Sequence, residues 1–143
     1  MSAEENKAVV RRLFEDVISK GDFALADDLV AADFVSHNLR PGQGQGREGF
    51  KQGLATIRAA FPDWQSTVEE MIAEGDKIAA RWTVRGTHQG SFAGIPATGK
   101  RITMTEIGIL RVGVGKVVEF WGVADELGMM QQLGIIPAGP AGT

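Results

Sequence analysis

Val9, Leu13 and Val17 fall four apart, with Val10, Phe14 and Ile18 beside them. This spacing predicts an amphipathic helix over residues 4 to 20 with one apolar stripe. Gly21 supplies a stop, and Asp22 a cap for a short second helix over about 22 to 31. "DFVSHN" then leads into a glycine-rich loop, "LRPGQGQG". A third helix is predicted from about Arg47 to Phe61, where Phe50, Leu54, Ile57 and Phe61 keep a helical spacing before Pro62 ends it.

Beyond Pro62 the pattern changes to strand-like alternation. Residues 64 to 74, 77 to 88, 101 to 112 and 116 to 124 read as four strands, with hairpin turns at "EGDK" and "GVGK". A loop over 89 to 100 joins the second and third strands, and a last helix is expected over 126 to 133. Helices first and strands after argue for the α+β class, an antiparallel sheet with helices across one face. A curved sheet covered in this way leaves a pocket between its layers. A single domain is expected, with a core over about 5 to 134 and a flexible tail over 135 to 143.

Composition narrows the function classes. The chain has 143 residues and a net charge of −3, with its Lys and Arg scattered, so no nucleic-acid footprint is visible. The absence of cysteine excludes disulfides, thiolate metal sites and a cysteine nucleophile. No apolar run approaches the ~20 residues of a membrane span, and no early stretch resembles a signal peptide. The expectation is a cytoplasmic protein without membrane partners. Two histidines 51 residues apart make no zinc motif, so no metal is expected. "GQGREG" has the glycine spacing of a dinucleotide loop and precedes a helix, but no βαβ unit surrounds it. It reads as a loop that starts the third helix, with a lid over residues 40 to 47 as a possibility.

Parity along the strands groups the candidate chemistry. Trp121, Val123 and Asp125 share one side of the last strand, as does Glu119. Trp82, Val84, Gly86 and His88 share a face of the second, and Glu106 shares its parity with Ile102, Met104 and Leu110. Glu106 faces either a ligand or an assembly interface. Trp64, Phe61, Phe92, Met104, Met129 and Met130 are apolar pieces able to line a cavity or fill a core.

Three stretches, "VVRRLFEDVISKGDFALADDLVAADFVSHN", "RWTVRGTHQGSFAGIPATGKRITMTEIGILRV" and "GKVVEFWGVADELGMMQQLG", in this order and spacing resemble the SnoaL-like polyketide cyclase (ester cyclase) branch of the nuclear-transport-factor-2-like superfamily. The resemblance implies a cone: three N-terminal helices closing a strongly bent antiparallel or mixed sheet. It implies a homodimer or homotetramer through the outer sheet face. It implies an enzyme without a cofactor that closes a ring by intramolecular aldol condensation of a polyketide-like ester, a small hydrophobic or aromatic ligand.

The resemblance also places roles. Asp125 matches the general acid/base at the end of the last strand, although Asp equally suits the cap of the helix that follows. His88, in "GTHQG", is the candidate charge-stabilising partner. His37 and Asn38 are expected at the cavity mouth, and Trp64, Trp82, Glu106, Trp121 and Met104 around the substrate. Two alternatives stand beside this reading. A hydrolase or isomerase on the same fold would want a second pocket Asp or a Tyr hydroxyl, and the chain has no Tyr. A binder without catalysis would need only the cavity.

Overall fold

The computed structural model describes residues 2–138. Helix α1 (Ala3–Arg12) opens on a reciprocal cap, with the Ser2 hydroxyl accepting from the Glu5 N–H and the Glu5 carboxylate accepting from the Ser2 N–H. The helix then widens into a π-helical stretch, Leu13–Ile18, closed by the Ser19 N–H donating to the Phe14 carbonyl at 3.0 Å. This widening turns Leu13, Phe14 and Val17 inward together, and all three are buried. Gly21 at φ 74° reverses the chain, and the Asp22 carboxylate caps α2 (Phe23–Leu29) through the Leu25 N–H. Helix α3 (Gly46–Ala60) stops at Phe61, ahead of Pro62.

The sheet has the order β1-β5-β4-β3-β2. Strands β2 (Gln65–Glu74), β3 (Lys77–Thr87), β4 (Arg101–Gly113) and β5 (Lys116–Ala124) form an antiparallel meander. Register shifts between Val68 and Glu70 and between Arg111 and Val112 interrupt its pairing, and bulges of this kind bend a strand and add twist. The sheet curves without closing, because β1 and β2 stay as its two edges. The β4–β5 turn takes positive φ at both Val114 and Gly115, the geometry that matches strand twist.

Two of the expected boundaries move, and one strand is added. The first helix changes character at Leu13 and ends at Ile18. The second ends at Leu29, and the chain passes directly into β1 (Val30–Ser36), a strand that the sequence pattern does not predict. Strand β1 runs parallel to β5, so the sheet is mixed. Its burial runs in pairs and not in alternation, with Val30, Ala31 and Phe34 buried. A register shift between Val30 and Val35 accounts for that break.

The buried core lies between the concave face of the sheet and the N-terminal helices. The last helix, α4 (Glu126–Gln132), drops Met129 into this core, and Leu133 follows at its C-terminal cap. The Gln132 side chain pairs with both backbone groups of Thr103 on β4, at 2.7 and 2.8 Å. The expected tail is partly tied: the N–H groups of Ile135 and Ile136 donate to the Met130 carbonyl. Its remainder, 139–143, lies outside the described residues. No described helix is long and apolar enough to cross a membrane.

Candidate functional site

Alternate residues of the inner strands converge on one cavity of about 260 Å³. Trp82 of β3, Glu106 and Leu110 of β4, and Phe120, Gly122 and Ala124 of β5 form its sheet side. Phe14 and Ile18 from the π-helical stretch and Phe50, Leu54 and Ile57 from α3 form the opposite side. The widened helix therefore has a local purpose, since it aims Phe14 at the Trp82 ring, 4.7 Å away between centroids.

Polar groups gather around Glu106. Trp82 and Glu106 are direct cross-strand partners, and the indole Nε1–H donates to Glu106 Oε2 at 2.5 Å. Burial pushes the Glu106 carboxyl above the usual carboxylate range. The Trp82 hydrogen bond and the Arg40 charge pull against that shift, and the Glu126 charge adds to it. A carboxylate in mostly apolar surroundings, holding one fixed hydrogen bond, is a stronger base than one in water.

Arg40 and Glu126 complete this corner, Arg40 from the loop after β1 and Glu126 from the first turn of α4. Burial lowers the Arg40 pKa, and the carboxylates of Glu126 and Glu106 raise it. The guanidinium carbon sits 5.0 Å above the centre of the Phe92 ring. Asn38 borders the cavity with its amide already committed. Its Nδ2 donates to the Gly122 carbonyl and its Oδ1 accepts from the Gly122 N–H at 2.5 Å. The side chain thus continues the β1–β5 pairing past the end of β1.

Of the residues singled out in the sequence, Asn38, Trp64, Trp82 and Glu106 line this cavity. Met104 shares the face of Glu106 but is packed in the core. Trp121 lies on the other side of the sheet, because the inward positions of β5 are Phe120, Gly122 and Ala124. His37 is there too, stacked on Trp121 at 4.8 Å with 9° between planes, and its Nε2 is 2.8 Å from Glu119 Oε2. Arg111 bridges Glu119 and Asp76 beside them. Glu119 was the signal for this inversion: a carboxylate in the same parity as Trp121 marks the outward face.

His88 and Asp125 do not meet. His88 lies six residues beyond Trp82, roughly 20 Å along an extended chain. It is fully buried against Phe61, and its Nδ1 accepts from the Thr98 N–H at 3.2 Å. Asp125 is exposed and caps α4, Oδ1 accepting from the Gly128 N–H at 2.9 Å. Arg40, in the glycine-rich loop, and Glu126, next to Asp125 at the start of α4, carry no periodic signal in the sequence. Among the described residues no cluster of three or more His, Asp or Glu could hold a metal ion.

Residues 8–133 match the family described as SnoaL-like polyketide cyclase. The chain is 31% identical over 112 residues to the aklanonic acid methyl ester cyclase DauD of Streptomyces sp. (strain C5), covering 72% of this chain and 69% of that one. Among solved structures it resembles wild-type IdmH of Streptomyces antibioticus, named as a candidate polyketide cyclase. That match has a TM-score of 0.79 at 33% identity and covers 90% of this chain and 98% of IdmH. It also resembles TsrD of Streptomyces laurentii, with a TM-score of 0.87 at 26% identity over 95% of this chain and 99% of TsrD.

Proposed function

This chain belongs to the SnoaL-like polyketide cyclase family, and from that premise we propose that it closes a ring in a polyketide-derived ester, with Glu106 as the acid/base. The observation that carries the reading is the Glu106 carboxylate in the cavity wall, fixed by the Trp82 N–H at 2.5 Å. Its ionised form removes a proton from carbon between two carbonyls, leaving an enolate. The enolate carbon attacks a ketone carbonyl of the same molecule, and one C–C bond forms. The carbonyl oxygen becomes an alkoxide and takes the proton back from Glu106. Atoms and charge balance without a co-reactant.

Apolar walls favour a folded, near-attack shape of the substrate, a route to much of the rate in intramolecular closure. The ester class follows the substrate in the name of DauD. The role of base falls to Glu106 and not to Asp125, because Asp125 is exposed and one of its oxygens is held by the helix it caps. Turnover of a cyclisable polyketide-type β-keto ester by wild type and by Glu106→Gln tests this assignment. Equal rates would overturn it.

The reading includes a homodimer formed through the outer sheet face. Ile72 and Ile109 lie in one cross-strand row there with Trp121, and Ile107 and Val123 form the next pair. Their exposures are 63% for Ile72, 42% for Ile109, 56% for Ile107 and 72% for Val123. A contiguous apolar band of this kind favours burial against a second copy. It also includes a cytoplasmic location, with which the lack of a membrane-crossing helix among the described residues is compatible.

A further inference from the structure

Arg40 is held in place by its backbone and left free at its tip. The Gln43 N–H donates to the Arg40 carbonyl at 3.0 Å, and the Arg40 N–H donates to Gln43 Oε1 at 3.4 Å. This closed turn, with Gly42 at φ 84° inside it, fixes the root of the side chain. The guanidinium is half-buried at the cavity, resting on the Phe92 face. Among the described residues it makes no side-chain hydrogen bond and no ion pair. The other polar groups of the corner are differently placed. Asn38 is spent on Gly122, and Glu106 Oε2 is spent on Trp82.

The guanidinium donors have no acceptor among the described side chains and stand at an apolar cavity, where a ligand acceptor would be held more strongly than in water. Glu106 and Glu126 act on it through space, and neither closes a bond to it. The cavity that Arg40 and Glu106 both line is therefore a place for a ligand atom that accepts hydrogen bonds. The chemistry of the two sides differs: one takes a proton, and the other offers N–H groups and positive charge.

Resting on the reading of Glu106 as the base, we propose that Arg40 binds the enolate oxygen of the substrate, on which negative charge develops when the proton leaves carbon. The C–H electron pair moves onto that oxygen as Glu106 takes the proton. Arg40 holds the charge without itself gaining or losing a proton, as its guanidinium stays charged throughout. Stabilisation that grows as charge develops accelerates the step instead of merely tightening binding. The substrate class narrows accordingly to 1,3-dicarbonyl compounds in neutral form, with an enolisable carbonyl able to reach Arg40 while its α-carbon faces Glu106. A permanently anionic ligand would meet the carboxylates of Glu106 and Glu126 at the same corner.

The test uses benzoylacetone, a 1,3-diketone whose neutral and enolate forms differ in ultraviolet absorbance. Bound to wild type, it should ionise at lower pH than when bound to Arg40→Met. In turnover of a cyclisable β-keto ester, Arg40→Met should lower kcat on the order of 10²-fold with little change in KM. Arg40→Gln serves the same comparison if the methionine form does not fold. Equal ionisation of the bound probe in wild type and both variants would overturn the proposal. Glu106→Gln separates the two assignments. Loss of turnover with the probe shift intact supports both. Normal turnover with the shift intact removes Glu106 as base and leaves Arg40 in its role. No binding of the probe by any form overturns the cavity site and this inference with it.

Discussion

Trp82 and Glu106 stand directly opposite each other on β3 and β4, and the indole N–H holds one carboxylate oxygen at 2.5 Å. The pair fixes where a base can be in this cavity. Its other carboxylate oxygen carries no hydrogen bond from the described residues. The tryptophan is itself wedged between Phe14 and Phe120, at centroid distances of 4.7 and 6.2 Å. A donor so confined cannot follow a carboxylate that rotates away, so the geometry of the base is set before a ligand enters.

Glu106→Gln should lower kcat on the order of 10²- to 10⁴-fold, the span of a lost general base. The amide oxygen still accepts from Trp82, so the fold should persist. Single-turnover kinetics beside a thermal melt separates the two effects.

The pH dependence follows from the raised Glu106 pKa. Turnover needs the ionised form, so kcat/KM should rise with pH through a midpoint above the usual carboxylate range. That limb should be absent in any residual activity of Glu106→Gln. For stability the sign is opposite to that of an ion-paired acid. The folded state holds this proton more tightly than the unfolded chain. Stability from Glu106 is therefore fully present below its unfolded pKa and is lost as pH rises through the folded one. Glu106→Gln should melt at least as high as wild type at neutral pH, with the difference shrinking in acid.

Asp125→Asn should leave turnover unchanged, since Asn also caps helices, whereas Asp125→Ala should cost about 1 kcal/mol of stability. Denaturant melts and the same kinetic assay read both. A large loss of kcat in the asparagine form, with its fold intact, would return the base to Asp125.

Gly108 and Gly122 pair across β4 and β5 beneath the Phe120 ring. A Cβ on Gly108 would lie 2.6 Å from the Trp121 carbonyl oxygen and 2.9 Å from Phe120 Cε1, and one on Gly122 would collide with the same ring. Gly122→Ala should therefore push Phe120 toward the cavity, at a cost of about 1–3 kcal/mol. Weaker binding of benzoylacetone by titration, together with a lower melting temperature, is the expected outcome.

Charge on the outer face should dissociate copies without touching the cavity. Ile107→Lys with Ile109→Glu should give a monomer by light scattering, with probe binding retained. A wild-type chain that is already monomeric at micromolar concentration would remove the dimer reading.

The centre of the meander was legible because β3 and β4 alternate: β3 buries Ile78, Ala80, Trp82 and Val84 in strict turn. Strand β1 was not, because its pairing is distant in sequence and a register shift breaks its alternation. Parity was read correctly along β5, since Trp121 and Val123 do share a side. The side itself cannot be read from one strand. It is decided by which face the helices cover, and Glu119 was the local clue. Parity grouped Glu106 with Ile102, Met104 and Leu110 but left its side open between a ligand and an assembly interface, and its hydrogen bond to Trp82 depends on a register that only the assembled sheet defines. Arg40 reaches the cavity from an irregular loop, where no periodicity tells a side chain's direction.

Strand β1 closes one side of the cavity, and its ladder partner is the last strand of the sheet. Val30 pairs with Val117, 87 positions later, and Asn38 meets Gly122 across 84. Contacts that span so much chain carry a large entropic toll and tend to form late in folding. During synthesis, the N-terminal helices and the β2–β3 hairpin emerge long before β5 exists. The chamber therefore has no floor until the final fifth of the chain is made, and the partly grown protein exposes the apolar surface that later encloses the ligand.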